Sequence, residues 1–275
     1  MSESKPVVAS PGALRVTLVQ TRTWWHDCDR NLAHFAGLMA PLAGTTDVIV
    51  LTETFTSGFT QEPQEVAQRM DGPAVRWMQA QASRLGAAVT GSLAIEDAGG
   101  FRNRLVWASP DGEGPHWYDK RHLFGLGGED RRYAGGATRV TFSYRGWRIC
   151  PMICYDLRFP VWTRNQDDYD LLLFVANWPR PRVHAWRTLL RARAIENQAY
   201  VVGVNRIGED GNGIVYPGAS AAIDFLGEDL VDLGDREAVE TVMLSWEAQE
   251  RFRRKLPFQA DRDAFDIHGA DLRTG

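Results

Sequence analysis

The chain has 275 residues, of which 44% are hydrophobic, and a formal net charge of −4. Its lysines and arginines are dispersed apart from short clusters such as residues 251–255, which argues against a nucleic-acid partner. No stretch reaches the apolar length of a membrane-crossing helix, and three cysteines, an odd number, argue against a disulfide framework and for a reducing compartment, by default the cytoplasm.

Predicted elements alternate in the manner of an α/β protein. Apolar runs predict strands at Leu14–Gln20 and Asp47–Leu51, with a helix between them that starts at Asp27 or Asp29 and stops before Pro41 and Gly44. Asp71-Gly72-Pro73 offers a cap and a preset helical φ for a second helix, which Leu85-Gly86 ends. Strands follow at Ala87–Ile95, Arg102–Trp107 and Thr138–Ser143. Trp147–Ile153, Leu171–Ala176 and Tyr200–Asn205 read as buried strands, the last two flanking a helix at Val183–Asn197. Ala219–Ile223 and Ala238–Leu244 are predicted strands, and Trp246–Leu256 a closing helix capped by Ser245. Strands this apolar need cover on both faces, which two packed sheets with helices outside provide. No Pro/Gly/Ser-rich linker divides the chain, so one domain is expected over residues 1–275, its core at about 14–243 and a C-terminal helix and tail at 245–275. Met1 to Gly12 is polar and carries neither a signal-peptide core nor an Arg-rich amphipathic pattern.

Residues 149–160, Ile-Cys-Pro-Met-Ile-Cys-Tyr-Asp-Leu-Arg-Phe-Pro, form an apolar run that ends at Cys154 and turns polar before a proline. This predicts a buried strand delivering one thiol at its exposed end. The same design places Glu53 after Val48-Ile49-Val50-Leu51-Thr52, and Lys120 lies in Trp117-Tyr118-Asp119-Lys120-Arg121-His122-Leu123-Phe124. A thiol attacks as its thiolate, so it needs a base and nearby positive charge. Burial makes a carboxylate a better base, and an adjacent ammonium limits the effect. Glu53, Lys120 and Cys154 can therefore serve as base, cation and nucleophile, with coupled ionisations. Backbone N–H groups from Tyr155 onward would complete an oxyanion hole if a helix starts near Pro160. Taken singly, each residue has a plainer reading: a packed thiol, a solvated strand-end acid and a surface lysine. Cys150 reads as packing, and Cys28 has no assigned role.

Thr52-Glu53-Thr54-Phe55, Asp119-Lys120-Arg121-His122-Leu123-Phe124 and Cys154-Tyr155-Asp156-Leu157-Arg158-Phe159-Pro160 occur in the order of the nitrilase superfamily of carbon–nitrogen hydrolases, which the chain resembles from roughly Leu14 to Met243. Asn177-Trp178-Pro179, residues 191–198, Val204-Asn205-Arg206-Ile207-Gly208 and Asp210-Gly211-Asn212-Gly213 resemble its later motifs. Within the superfamily the chain looks most like the omega-amidase branch. The resemblance implies a four-layer αββα sandwich and a Glu-Lys-Cys set of Glu53, Lys120 and Cys154. It further implies cofactor-free hydrolysis of the terminal amide of a 2-oxo dicarboxylic acid monoamide, 2-oxoglutaramate or 2-oxosuccinamate. Other readings are an N-carbamoyl amino acid, a nitrile or a deaminated peptide amide as substrate, or a non-catalytic metabolite-binding relative.

Glu129 resembles a second glutamate that superfamily members place near the lysine, with Asp130 as its rival. Tyr155, Asn177 and Trp178 are expected at the substrate. Arg158, Arg180 and Arg206 are candidates for holding its carboxylate, although Arg158 is read foremost as a tether through Asp156. A homodimer is implied through helices near the active-site strands, where Val161, Trp162 and Trp186 are apolar. Gly218-Ala219-Ser220-Ala221-Ala222 lacks the last glycine of a serine nucleophile elbow. Gly125-Leu126-Gly127-Gly128 follows no dinucleotide fingerprint, and the six histidines show no metal-ligand spacing, so no metal is expected.

Overall fold

The computed structural model describes residues 11–166 and 169–269 and the backbone of residues 271–274. The expectation for Met1–Gly12 lies, up to Ser10, outside the described residues, as does part of the tail expected at 245–275. Strand β1 (Leu14–Gln20) is followed by helix α1 (Cys28–Met39), β2 (Val48–Val50), the short α2 (Pro63–Val66), α3 (Pro73–Leu85), β3 (Ala88–Asp97), β4 (Gly100–Ala108) and β5 (His116–Asp119). Next come β6 (Thr138–Tyr144), β7 (Trp147–Ile153), the short α4 (Pro160–Thr163), β8 (Leu171–Ala176), α5 (Val183–Asn197) and β9 (Tyr200–Asn205). The remainder comprises β10 (Ile207–Glu209), β11 (Val215–Pro217), β12 (Ala221–Ile223), β13 (Asp229–Asp232), β14 (Ala238–Leu244), α6 (Trp246–Lys255) and β15 (Asp271–Thr274). One sheet has the order β14-β1-β2-β3-β4-β5 and the other β13-β12-β9-β8-β7-β6-β15, while β10 and β11 pair as a hairpin.

The strand period of two divides the first sheet between two cores. Leu14, Val16 and Leu18 of β1 join Val48, Val50 and Trp107 in a core shared with Ile149, Phe174 and Val204 of the second sheet. Val19, Ile49, Leu51 and Val89 enter another, with Phe35 and Met39 of α1 and Val75, Met78 and Ala82 of α3. On the far side, Trp186, Leu190 and Ala194 of α5 cover the second sheet. Gly203 of β9 permits this approach: a Cβ there would meet Leu190 Cδ1 and Trp186 Cζ2 at 2.8 Å. The result is the expected four-layer αββα sandwich.

Local signals account for the helix ends. The Asp27 carboxylate accepts from the Arg30 N–H at 3.1 Å, and Ser245 Oγ from the Ala248 N–H at 3.2 Å. Gly86 ends α3 at φ +67°, a left-handed conformation that glycine adopts without strain. The cap of α3 is Gly72 rather than Asp71, and its side chain contributes no bond. Strands β5, β10, β11, β13 and β15 were not predicted, each being only three or four residues long. β12 starts at Ala221 and not Ala219, whose φ of +59° takes it out of the ladder.

The expected apolar face of Val161, Trp162 and Trp186 needs correction. Trp162 and Trp186 are 2% and 0% exposed, because their indole N–H groups donate inward to Tyr118 Oη and the Ala219 carbonyl. Val161 stays exposed. Among the described residues no helix is long and apolar enough to cross a membrane.

Candidate active site

Glu53 sits just beyond β2, where the chain is clamped to β3 by Leu51 N–H to Thr90 O at 2.7 Å and Phe55 N–H to Ser92 O at 3.1 Å. Gly91 makes room for this segment, since a Cβ would lie 2.9 Å from Leu51 Cβ. Four donors surround the Glu53 carboxylate. Oε1 accepts from Lys120 Nζ at 2.8 Å and Asn103 Nδ2 at 2.9 Å, and Oε2 from the Asn177 backbone N–H at 2.7 Å and Asn177 Nδ2 at 3.2 Å.

Lys120 follows β5 and is 1% exposed. Its ammonium also donates to both Glu129 oxygens, at 3.0 and 2.9 Å. Burial alone would pull its pKa down, but Glu129 and Glu53 overcome that and hold it well above the ordinary lysine range. Glu129, fully buried in the 3₁₀ turn 129–131, further accepts from Asn103 Nδ2 at 3.0 Å and the Phe124 N–H at 2.6 Å. Burial foremost, then the Glu53 charge, raises its pKa against the pull of Lys120. Of the two acids considered, Glu129 is the one that meets Lys120, while Asp130 is exposed.

Cys154 follows β7 at φ +44°, an uncommon conformation for a residue with a Cβ, whose cost of about 1–3 kcal/mol surrounding contacts must offset. Asp156 supplies them. It accepts from the Ile153 N–H at 3.0 Å, the His122 N–H at 3.0 Å, His122 Nδ1 at 2.8 Å and Tyr118 Oη at 2.8 Å, binding the turn after β7 to the segment that carries Lys120. The expected tether from Arg158 to Asp156 is absent among the described residues, because Tyr118 and His122 occupy that carboxylate. Tyr155 lies in the first turn of a 3₁₀ helix over Cys154–Arg158, where backbone N–H groups have no intrahelical acceptor. That turn begins six residues before the anticipated Pro160. Burial, then the nearby Glu53 charge, pushes the Cys154 thiol well above its usual range, and Lys120 only partly opposes them.

Glu53, Lys120 and Cys154 line one cavity of about 220 Å³, together with Tyr155, Asn177 and Trp178. Asn177 and Trp178 follow β8, and Asn205 at the end of β9 holds that turn by accepting from the Trp178 N–H at 2.7 Å and donating to the Trp178 carbonyl at 3.0 Å. Of the arginines considered, Arg158 lines the cavity, Arg180 is exposed away from it, and Arg206 is buried with its guanidinium donating to the Thr23, Ile207 and Glu209 carbonyls.

Sequence reasoning missed Asn103, Gln61, Phe124, Arg182 and Tyr216, all of which contact the site or line it. The signal for Asn103 was a neutral polar residue where the buried part of β4 begins. For Arg182 it was proximity to Trp178, whose indole N–H donates to the Arg182 carbonyl at 2.7 Å. Among the described residues no cluster of His, Cys, Asp and Glu is placed to hold a metal ion.

Comparison with known proteins follows the same lines. The carbon-nitrogen hydrolase family model matches residues 15–251. Omega-amidase YafV of Escherichia coli K12 is 46% identical over 94% of this chain and 99% of its own. The 2-oxoglutaramate amidase of Bacillus subtilis is 32% identical over 77% of this chain and 83% of its own. A CN-hydrolase superfamily protein of Xanthomonas campestris, whose crystal structure holds an arsenic adduct in the active site, superposes with a TM-score of 0.91 at 50% identity, covering 93% and 99% of the two chains. The extent of these matches and the shared four-layer fold establish that this chain belongs to the carbon-nitrogen hydrolase family of the nitrilase superfamily.

Proposed function

We propose that the chain is a cysteine-dependent, omega-amidase-like enzyme that hydrolyses the terminal amide of a small 2-oxo dicarboxylic acid monoamide, 2-oxoglutaramate or 2-oxosuccinamate. The observation that carries this reading is the convergence of Glu53, Lys120 and Cys154 on one cavity. Similarity to proteins named omega-amidase and 2-oxoglutaramate amidase supports the substrate class. The cavity, at about 220 Å³, falls below the roughly 300–1,000 Å³ usual for drug-sized ligands, which suits a short metabolite.

In the proposed cycle the substrate's amide carbon meets a thiol that is protonated at rest. Glu53 takes the proton as sulfur attacks, and Lys120 with the Tyr155 N–H stabilises the oxyanion. Collapse expels ammonia with the proton returned from Glu53, leaving a thioester on Cys154. Glu53 then deprotonates a water that attacks the thioester carbon, and the thiol leaves with that proton as the carboxylic acid forms. Glu129 and Asn103 hold Lys120 and Glu53 in register, so the ammonium stays charged through both half-reactions.

Mass spectrometry after brief incubation with 2-oxoglutaramate tests the cycle. An acyl increment on the native chain, absent from Cys154→Ala, is the expected result; turnover by the alanine variant would overturn it. Ammonia release across a panel of N-carbamoyl amino acids, nitriles and peptide amides ranks the substrate. A cytoplasmic location and a homodimer belong to the same proposal. The odd cysteine count supports the first. Val161 of α4 and Ile195 of α5, 55% and 51% exposed, support an interface through those helices, which light scattering would test.

A further inference from the structure

Gln61 carries a neutral amide that the protein itself does not use. It lines the catalytic cavity, its side chain makes no hydrogen bond among the described residues, and its Oε1 is buried with no donor. With that oxygen sealed, the Nε2 end is the one a ligand in the cavity can meet. The wall beside it is apolar. Phe59, Phe124 and Gly127 lie side by side there: a Cβ on Gly127 would stand 2.7 Å from Phe124 Cδ1 and 3.6 Å from Phe59 Cε1, and one on Gly128 would stand 3.9 Å from Gln61 Oε1. A polar atom buried without a partner destabilises a fold, so leucine would suit this position better for folding alone. The amides around Glu53 are already engaged, Asn103 Nδ2 with Glu53 and Glu129 and Asn177 Nδ2 with Glu53 and Thr54, while Asn212 is exposed in the β10–β11 turn.

The backbone that carries Gln61 is fixed to the catalytic groups. The Thr60 carbonyl accepts from Tyr133 Oη at 3.2 Å, Thr60 Oγ1 accepts from the Glu62 N–H at 3.0 Å, and the Tyr133 N–H donates to the Glu129 carbonyl at 2.8 Å. Glu129 in turn holds Lys120, whose Nζ lies 5.3 Å from the centroid of the Phe59 ring. The Gln61 segment is thus set in place relative to the ammonium before any ligand arrives, which lowers the ordering cost of using its donor.

An uncharged donor in an apolar stretch of wall suits an uncharged acceptor. In a 2-oxo dicarboxylic acid monoamide that acceptor is the keto oxygen, since the amide carbonyl becomes the oxyanion and a carboxylate is gripped best by charged donors. We propose that Gln61 is the specificity-determining residue for the 2-oxo group, its Nε2 donating to the keto oxygen, so that 2-oxo amides are preferred to amides with a methylene or an ammonium at that carbon. This rests on the amidase reading above. A methylene offers Nε2 nothing, and an ammonium sets donor against donor. A site built to hydrogen-bond one substrate group rejects an analogue without it, because its own polar atom is left unpaired.

The test compares 2-oxoglutaramate, glutaric acid monoamide and glutamine, which differ only at the second carbon, as substrates for the native chain, Gln61→Leu and Gln61→Glu. The ratio of kcat/KM for 2-oxoglutaramate to that for glutaric acid monoamide should fall about 10-fold in Gln61→Leu, mainly through KM. Gln61→Glu, which replaces the donor by an anionic acceptor, should lower it further and raise the share of activity on glutamine. Equal losses on all three amides, the mark of a residue that only shapes the wall or meets the shared carboxylate, would overturn the proposal, as would an unchanged ratio. Gln61→Leu should leave the midpoint of thermal unfolding unchanged or raised, and a marked fall would make Gln61 a structural residue instead. Calorimetry in the Cys154→Ala background reads binding without chemistry: 2-oxoglutaramate should bind more tightly than glutaric acid monoamide, and the difference should vanish with Gln61→Leu. Equal binding of the two acids before that substitution would sink the proposal whatever the turnover. A native chain that hydrolyses none of the three amides, while the Gln61-dependent difference in binding persists, would instead sink the amidase reading.

Discussion

The backbone N–H of Asn177 donates to Glu53 Oε2 at 2.7 Å, joining residues 124 positions apart and the end of β8 in one sheet to the end of β2 in the other. Asn177 Nδ2 adds a bond to the Glu53 carbonyl at 3.0 Å. The aim of this carboxylate is thus set by how the two sheets stack, and one of its donors is a peptide N–H that only proline at that position would remove.

Each of the four atoms hydrogen-bonded to the Glu53 carboxylate is a donor. Glu53→Gln must therefore turn its own amide N–H groups against a donor, besides losing the proposed base. We expect kcat to fall by about 10²- to 10⁴-fold, with an intact circular dichroism spectrum and a lowered midpoint of thermal unfolding. Retention of more than a tenth of native kcat would remove Glu53 as the base.

Glu129→Gln keeps the shape of a fully buried side chain but halves the negative charge around Lys120. The Phe124 N–H, Asn103 and the ammonium then compete for one acceptor oxygen. Loss of a charged buried partner costs about 1–3 kcal/mol, so urea unfolding should shift by that amount and kcat should fall roughly 10- to 100-fold. KM should change little, because Glu129 does not line the cavity.

Burial, then the Glu53 charge, pushes the Cys154 thiol well above its usual range, which favours sulfur protonated at neutral pH. Alkylation of Cys154 by iodoacetamide, followed by peptide mass spectrometry, should be slow at neutral pH. Its rate should keep climbing past the usual thiol value of about 8.5 without a plateau. A plateau near pH 7 would indicate a preformed thiolate and a different first step.

Asp47 anchors the entry to β2 by accepting from the Arg15 backbone N–H at 2.8 Å, Arg15 Nη2 at 2.9 Å and Arg145 Nη1 at 2.9 Å. Burial pushes its pKa up, but the bonds to Arg15 and the charge of Arg145 outweigh that and leave it below the ordinary carboxylate range. A lowered folded-state pKa gives stability that is present above the unfolded value and lost as pH falls through the folded one. Asp47→Asn should cost about 1–2 kcal/mol at pH 7, the exposed arginine ends tempering the figure. The gap to the native chain should close as pH drops below the usual Asp range, measured by urea unfolding from pH 7 to 3. A pH-independent gap would show that charge is not the cause.

Much of the scaffold was legible because burial writes a local pattern. Trp147–Ile153, Val183–Asn197 and Tyr200–Asn205 have the predicted boundaries, each a sustained apolar run or helical period. β5 was not legible, since four residues whose first two, His116 and Trp117, are exposed carry little periodicity, and neither was the charged edge strand β13. Cys154, Glu53 and Lys120 stood out because each ends a strand or sits in a recognisable block. Asn103 did not, since nothing near it in sequence says that it faces two carboxylates. Arg158 was assigned to Asp156 by proximity, and the fold gave that acid to Tyr118 and His122 instead.

The amino-acid order alone determined the layers of this protein and which chemical groups stand at the strand ends, because side-chain alternation and helix capping are properties of neighbouring residues. Tertiary structure decided who meets whom: Glu129 rather than Asp130 on Lys120, Asn103 between two carboxylates, and the Asn177 peptide on Glu53. Those contacts span 50, 67 and 124 residues for the partners of Glu53. Hydrogen bonds of about 3 Å tolerate little displacement, so they exist only once the two sheets have packed and fixed the distances between their ends.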